Sequence, residues 1–290
     1  MATSLKQAGT IAVEPLSPTV GVEIKGVDLS RELDPDTVRQ IRQAWGQHSV
    51  LLFRGQDLSE DDQFRFAGYF GPVADRVKPL REVGRHRPDP TNRMQLVTDR
   101  LDDEGRPMGS LGHGEMWYHT DKCYVEKPHL ASLLYALELP SSGGHTKFAS
   151  LYEAHDRLSP ELKARLHGRK VLQVYDYTKD TALDSSQSLD GVLNYWQPMF
   201  VANPDSDRVA LYVCRLMTIA IEGLEKAESD ALLEELSDLI EAPDNIYEHV
   251  WRLGDLIMWD NLSSVHARTD WPDGEPRSLR RCTIQGGRLS

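Results

Sequence analysis

Residues 254–266 read GDLIMWDNLSSVH: an apolar run, a polar corner, then a histidine. A short apolar run bounded by turn residues is the pattern of a strand, not of a long helix. Working outward, residues 248–252 and 280–285 alternate apolar and polar side chains, as further strands would. Upstream, residues 129–139 (HLASLLYALEL) form a long apolar strand that stops at Pro140. A Ser-Ser-Gly-Gly turn follows at 141–144, and the chain resumes at Thr146-Lys-Phe. Residues 11–15, 21–29, 49–53 and 209–213 add short strands. Fewer segments read as helices. Residues 35–46 carry acids in the first turn. A helix capped by Ser59 should run to about Phe70 and stop at Gly71. Ser150 with Glu153 forms a capping box, Ser159-Pro160-Glu161 opens another helix that stops at Gly168, and residues 225–241 place Leu232, Leu233, Leu236, Leu239 and Ile240 on one face. Strands with a few helices packed outside them predict a mainly β fold with flanking helices, of the jelly-roll kind.

Composition narrows the function. The 290 residues are 40% hydrophobic and 27% charged, which is ordinary globular composition, and one domain over 1–290 is the expectation. A net charge of −12 argues against phosphate-backbone binding, which needs Lys and Arg to neutralise phosphates. No apolar run approaches the ~18–20 residues that span a bilayer. The start, MATSLKQAGTIAVEPLSP, has one Lys and no apolar core of a signal peptide. Cys123, Cys214 and Cys282 are widely spaced and odd in number, so they read as small buried hydrophobes in a reducing cytoplasm. No glycine-rich turn joins a strand to a helix in the dinucleotide or phosphate-loop pattern. Residues 72–112 hold five prolines and the cations Arg76, Lys78, Arg81, Arg85, Arg87 and Arg93, with little periodicity. They read as an excursion serving as a lid or substrate loop. Residues 176–195 are polar and loop-like.

The chemistry concentrates in two places. In His119-Thr-Asp121 an extended backbone points both side chains to one face. One imidazole and one carboxylate, joined by a second imidazole from elsewhere, make the facial triad of non-haem iron(II) sites. Alone the pair is a weak signal, and His113-Gly-Glu115 repeats its form. The 254–266 stretch supplies His266, and Arg277 and Arg281 follow 11 and 15 residues later. Four apart at the start of a strand, those arginines share a face. Arginines inside a β-rich core are costly unless an anion meets them, and guanidinium suits a carboxylate best. A metal triad beside such arginines calls for a carboxylate that also chelates the metal, and 2-oxoglutarate has both features.

In these residues the sequence resembles the taurine dioxygenase / 2,4-dichlorophenoxyacetate dioxygenase family of iron(II)- and 2-oxoglutarate-dependent oxygenases. The likeness runs from GVEIKGVDL (21–29) through SVLLFRGQDL (49–58) and FAGYFGPV (66–73) to the C-terminal region. Its specific parts are WYHTD (117–121), PSSGGHTKF (140–148), GDLIMWDN (254–261) with His266, and RSLRR (277–281). The resemblance implies a double-stranded β-helix, a cupin-like jelly roll, that forms homodimers or homotetramers. It implies that His119, Asp121 and His266 bind iron and that Thr146 and Arg277 hold the distal carboxylate of 2-oxoglutarate. Arg281 would meet the substrate's anionic group or the near carboxylate of 2-oxoglutarate. It departs from the family pattern at His145, which replaces an acid and reads as structural, and at Cys214, where Asn is common. Met217 falls where some members place a substrate-facing aromatic, and Glu115 aligns with a polar substrate contact.

The expected reaction is oxygen-dependent hydroxylation of an aliphatic C–H bond of a small anionic molecule, a carboxylate or sulfonate, with release of succinate and CO2. Where the hydroxylated carbon bears a heteroatom, the bond to it would break. Because Asp121 supplies a carboxylate ligand, a halide has no vacated position, so hydroxylation is expected over halogenation. Arg281, Glu115, Trp117, Tyr118, Met217 and Lys78 are the expected substrate contacts. Two other readings differ in kind: a zinc hydrolase using the same triad, and a non-catalytic barrel that binds a small acid.

Overall fold

The computed structural model describes residues 10–74, 94–101, 103–105, 108–109, 114–175, 186, 188–203 and 205–289. Lys78 and most of the 72–112 excursion lie outside these residues. In chain order the elements are β1 (Ala12–Pro15), β2 (Val22–Lys25), α1 (Pro35–His48), β3 (Val50–Phe53), α2 (Glu60–Gly68), β4 (Gln95–Thr98), β5 (Met116–His119), β6 (His129–Glu138) and β7 (Thr146–Ser150). Next come α3 (Leu151–Arg157), α4 (Pro160–Leu166), β8 (Lys170–Val174), β9 (Asn194–Pro198), β10 (Phe200–Ala202), β11 (Val209–Leu211) and β12 (Thr218–Ile221). The chain ends with α5 (Lys226–Ile240), β13 (Ile246–His249), β14 (Leu256–Asp260), β15 (Ser264–Arg268) and β16 (Ser278–Gln285).

Two sheets carry the site. The larger has the order β1-β2-β3-β14-β6-β16-β4, and the smaller has the order β13-β7-β15-β5. Non-sequential neighbours in both sheets, paired antiparallel apart from β2 with β3, give the jelly-roll connectivity expected from the sequence. The apolar run of β14 is explained by burial of both its faces. Leu256 and Met258 pack with Ile41 and Trp45 of α1 and Phe66 of α2, on the outer face of the larger sheet. Ile257 and Trp259 face inward and meet Phe148 of β7 in the space between the sheets. The outer face of the smaller sheet is covered by Leu232, Leu236 and Ile240 of α5 with Leu151 and Tyr152 around α3.

Local signals placed the helices well. Asp34 caps α1 by accepting from the Asp36 and Thr37 amides, and Ser59 forms a reciprocal capping box with Asp62. At Ser150 only half of the expected box forms: its hydroxyl accepts from the Glu153 amide, while the Glu153 carboxylate accepts from Arg157 Nε at 3.0 Å. The α2 helix ends at Gly68, two residues short of Phe70. The excursion reading of 72–112 is corrected at two points. Gln95–Thr98 is an edge strand in register with β16, Val97 opposite Leu279, and Val73 bridges Ile284. A four-residue edge strand is too short to show periodicity among prolines and charges. Similarly, the segment read as loop through 195 already enters β9 at Asn194.

Candidate active site

The smaller sheet sets out the triad. His119 ends β5, and His266 lies directly opposite it on β15, with ring centroids 4.2 Å apart. Asp121 follows in a turn whose next residue, Lys122, takes a left-handed φ of 60°. One ligand atom from each of His119, Asp121 and His266 lies within 4.8 Å of the other two, and all three residues are buried. The structure thus brings together the three residues the sequence singled out as metal ligands.

Their chemistry suits a divalent cation. The Nδ1 of His119 lies 2.8 Å from the Trp117 carbonyl, which fixes the tautomer that leaves Nε2 as the basic nitrogen. Burial lowers the pKa of both imidazoles, and each is further lowered by nearby positive charge, so both are neutral donors at physiological pH. His266 Nδ1 is buried without a hydrogen-bond partner among the described residues. Burial works to raise the Asp121 pKa, but the Arg281 guanidinium, with a hydrogen bond from Ser132, outweighs it and holds the carboxylate ionised, far below its ordinary range. Two neutral imidazoles and one carboxylate on one face are the donor set of non-haem iron(II).

Asp121 is held from behind by residues the sequence reading missed. Ser132 Oγ donates to its Oδ2 at 2.5 Å, and Asn261 Nδ2 donates to Ser132 at 3.1 Å. Trp259 Nε1 donates to Asn261 Oδ1 at 2.8 Å, and the Thr120 hydroxyl donates to the Asn261 carbonyl. Arg281 Nη2 lies 2.5 Å from the same Asp121 oxygen. The available signals were a serine alone among apolar residues of β6 and the amide directly after β14.

Arg277 is 2% exposed and lies at the other end of the inner face. Its Nε donates to the Gly144 carbonyl at 2.8 Å, and its guanidinium sits 5.5 Å over the Trp271 ring. The glycine turn makes this approach feasible: Gly144 has φ 63°, and a Cβ there would fall 2.9 Å from Arg277 Cδ. Burial, with the Arg268 charge, lowers the Arg277 pKa to about 9. No carboxylate lies at ion-pair distance from Arg277 among the described residues. Thr146, opposite Arg268 in the β7–β15 register, is buried and accepts from Trp251 Nε1 at 3.0 Å. Arg268 is a third inner arginine the sequence reading missed. It donates through Nε and Nη2 to the Gly114 carbonyl at 3.0 and 2.7 Å and lies 5.1 Å over Trp271. Its signal was the spacing of two from His266 on a strand.

The expected substrate contacts divide. Trp117 shares the face of His119 and is 39% exposed, and Glu115 is exposed just before β5. Tyr118 does not share that face. Strand alternation turns it outward onto the apolar cluster under α5, which corrects its reading as a site residue. Met217 is likewise corrected: it has no exposed surface, and its sulfur packs 3.4 Å from Cys123. His145 keeps its structural reading, with Nδ1 2.6 Å from Glu248. Cys214 is buried beside Thr218 and Gln173.

A jelly roll with a buried His/Asp/His set and inward arginines defines a metal-dependent oxygenase scaffold. The family model described as taurine catabolism dioxygenase TauD, TfdA family matches residues 12–283, and the chain belongs to that family. An (S)-phenoxypropionate/alpha-ketoglutarate dioxygenase of Sphingobium herbicidovorans is 30% identical over 283 residues, covering 94% of each chain. Pentalenolactone F synthase of Streptomyces avermitilis is 32% identical, covering 90% of each. The crystal structure of a taurine dioxygenase from Burkholderia xenovorans superposes with a TM-score of 0.79 at 30% identity, covering 97% of this chain and 91% of that one.

Proposed function

We propose that this protein hydroxylates an aliphatic C–H bond of a small carboxylate or sulfonate, breaking a carbon–heteroatom bond where the hydroxylated carbon bears one. The class is that of its family: the chain is an iron(II)- and 2-oxoglutarate-dependent dioxygenase that uses O2. Bound iron, with 2-oxoglutarate and O2, supplies the oxidising chemistry, yielding succinate and CO2 as C–H becomes C–OH. The chain's residues supply position. His119, Asp121 and His266 would hold the metal, each offering one ligand atom. Arg277 and Thr146 receive the distal carboxylate of 2-oxoglutarate, and Trp251 orients the threonine hydroxyl. Ser132 and Asn261 fix the Asp121 carboxylate, and Arg281 stands between that carboxylate and the substrate.

The observation that carries this reading is Arg277, a buried guanidinium with no carboxylate partner among the described residues, on the same inner face as the triad. Burying such a charge is costly unless an anion arrives. The two curated relatives differ in the substrates their names print, so the particular acid is not transferred from either. We further place the protein in the cytoplasm as a homodimer or homotetramer. Free cysteines and the lack, among the described residues, of any helix long and apolar enough to cross a membrane fit that placement.

The test is anaerobic addition of iron(II) and 2-oxoglutarate to metal-free protein, followed by oxygen and a succinate assay. A visible band that needs Arg277, and succinate that Asp121→Ala abolishes, are expected. Folded, metal-loaded protein that gives neither band nor succinate would overturn the reading in favour of a hydrolase or a binding protein.

A further inference from the structure

His129 is a buried histidine that the chemistry above does not use. It starts β6, is 6% exposed, and neither ring nitrogen has a hydrogen-bond partner among the described residues. Buried polar atoms are satisfied in the great majority of cases, so two orphans on one ring point to a ligand. The ring faces the site because of a register shift. Gln285 of β16 pairs with His129 while Ile284 pairs with Ala131, so Leu130 is an extra residue. Leu130 and Ala131 both pack outward against the helices, and His129 is thereby turned to the face that Ser132 occupies. The charges that reach its ring are those of Asp121, Lys122 and Arg281.

Position along the sheet says which ligand it meets. The β6–β16 register runs from Ser278 opposite Glu138 to Gln285 opposite His129, about 23 Å at ~3.3 Å per residue. Arg277 precedes one end, Arg281 and Asp121 lie in the middle, and His129 stands at the other end. On the reading given above, 2-oxoglutarate occupies the span from the triad to Arg277, which leaves the His129 side to the primary substrate. Lys122, held there by its left-handed backbone, is half-buried and has no ion-pair partner among the described residues. Among the described residues, the charges that reach the His129 ring are two cations, Lys122 and Arg281, and one carboxylate, Asp121. A neutral imidazole, held uncharged by burial, adds a directional N–H donor without further charge.

We propose that His129 donates a hydrogen bond to the oxyanion head of the primary substrate, a carboxylate or sulfonate whose charge Lys122 and Arg281 balance. This rests on the dioxygenase reading of the same site, and the experiment separates the two. Protein loaded with iron(II) and 2-oxoglutarate under argon is titrated calorimetrically with phenoxyacetate, (S)-2-phenoxypropionate and propanesulfonate. Wild type is expected to bind at least one of these acids. His129→Phe, which keeps the volume and loses the donor, weakens that binding at least tenfold, and His129→Gln, which restores an N–H, recovers most of it. Melting of the ligand-free proteins is the second readout. His129→Phe melts at or above the wild-type temperature, because it removes two unsatisfied nitrogens from the interior. Unchanged acid binding in His129→Phe overturns the proposal, as does a fall in its melting temperature, which would mark the ring as a structural partner. Wild-type protein that binds 2-oxoglutarate but none of the acids also overturns it. Failure to bind 2-oxoglutarate at all would overturn the dioxygenase reading, and this proposal with it.

Discussion

Arg280 and Arg281 are neighbours on β16 and face opposite sides of the sheet. Arg280 points outward beneath α2, where its Nε donates to Gln63 Oε1 at 2.7 Å and its Nη2 donates to the Leu58 and Ser59 carbonyls. Its guanidinium also lies 5.0 Å over Tyr135. Arg281 and, four residues earlier, Arg277 point inward, to a metal-ligand carboxylate and to a glycine carbonyl. Histidines show the same contrast. His249 is fully buried but held on both nitrogens, by Tyr247 at 2.9 Å and Asp255 at 3.1 Å, whereas His129 has neither partner among the described residues. A buried polar group satisfied by the fold is a structural group. One left with spare capacity costs stability, and the cost is recovered when a ligand binds.

The sharpest way to break this comparison is to truncate one arginine from each face. Arg277→Ala should raise the half-saturating 2-oxoglutarate concentration about 100-fold, near 3 kcal/mol, while leaving the fold as stable or more so. Arg280→Ala should do the reverse. It strips Gln63 on α2 and the Leu58 and Ser59 carbonyls just before that helix of their donor, and should lower unfolding free energy by about 2 kcal/mol, with 2-oxoglutarate saturation unmoved. Steady-state saturation curves and urea melts on both variants settle the matter; equal effects in either measurement would dissolve the distinction between the two faces.

Ser132→Ala probes the boundary between the two kinds of residue. Ser132 is satisfied within the fold, by Asp121 and Asn261, yet its purpose is to aim a ligand. Removing such support costs metal affinity about tenfold, with Asp121 still in place. Competition of the variant with a chelator for iron(II) or cobalt(II) measures this, and a dissociation constant equal to wild type would show that Arg281 alone suffices to hold the carboxylate.

Legibility in the sequence follows the same line. Helix starts were readable because caps act within a turn: Ser59 and Ser159 each bond an amide three residues on. The triad and its arginines were readable because strand period fixes faces and the residue types are chemically unusual inside a β core. What required pairing partners was not. The polar corner was legible and is the turn at 261–263, but that Ser264 already belongs to β15 was not, because that depends on β7 lying alongside. Tyr118 was assigned to the site by proximity to His119, although alternation within β5 turns it away; Asp121, expected on an extended strand, instead reaches the site from the turn after β5. His129 depended on a register shift against Ile284 and Gln285, some 155 residues later, which no local pattern encodes. Asp260 escaped for the same reason.

Asp260 gives the smallest expected effect and tests whether an off-site group can also carry spare cost. It ends β14, is 3% exposed, and lines a cavity of about 220 Å³ with Trp45, Tyr152 and Asn203. Its Oδ1 accepts from the Leu262 amide at 2.7 Å, and its Oδ2 accepts from Asn203 Nδ2 at 3.4 Å. Burial pushes its pKa from the ordinary 3.8 up to about 6, against the opposing bonds from Leu262 and Ser263. The folded chain therefore holds this proton more tightly than the unfolded chain does. The stabilising contribution is complete below about pH 4 and is lost as pH rises through about 6, so at pH 8 the ionised carboxylate is a net cost. Asp260→Asn keeps an acceptor for Leu262 and cannot ionise. It should stabilise the protein by about 1 kcal/mol at pH 8 and give no gain at pH 5, with succinate formation unchanged. Paired thermal melts at the two pH values check the sign. An equal shift at both would mean that Asp260 acts through packing, and a loss at pH 8 would mean that its negative charge is used, which would move it from the structural class to the functional one.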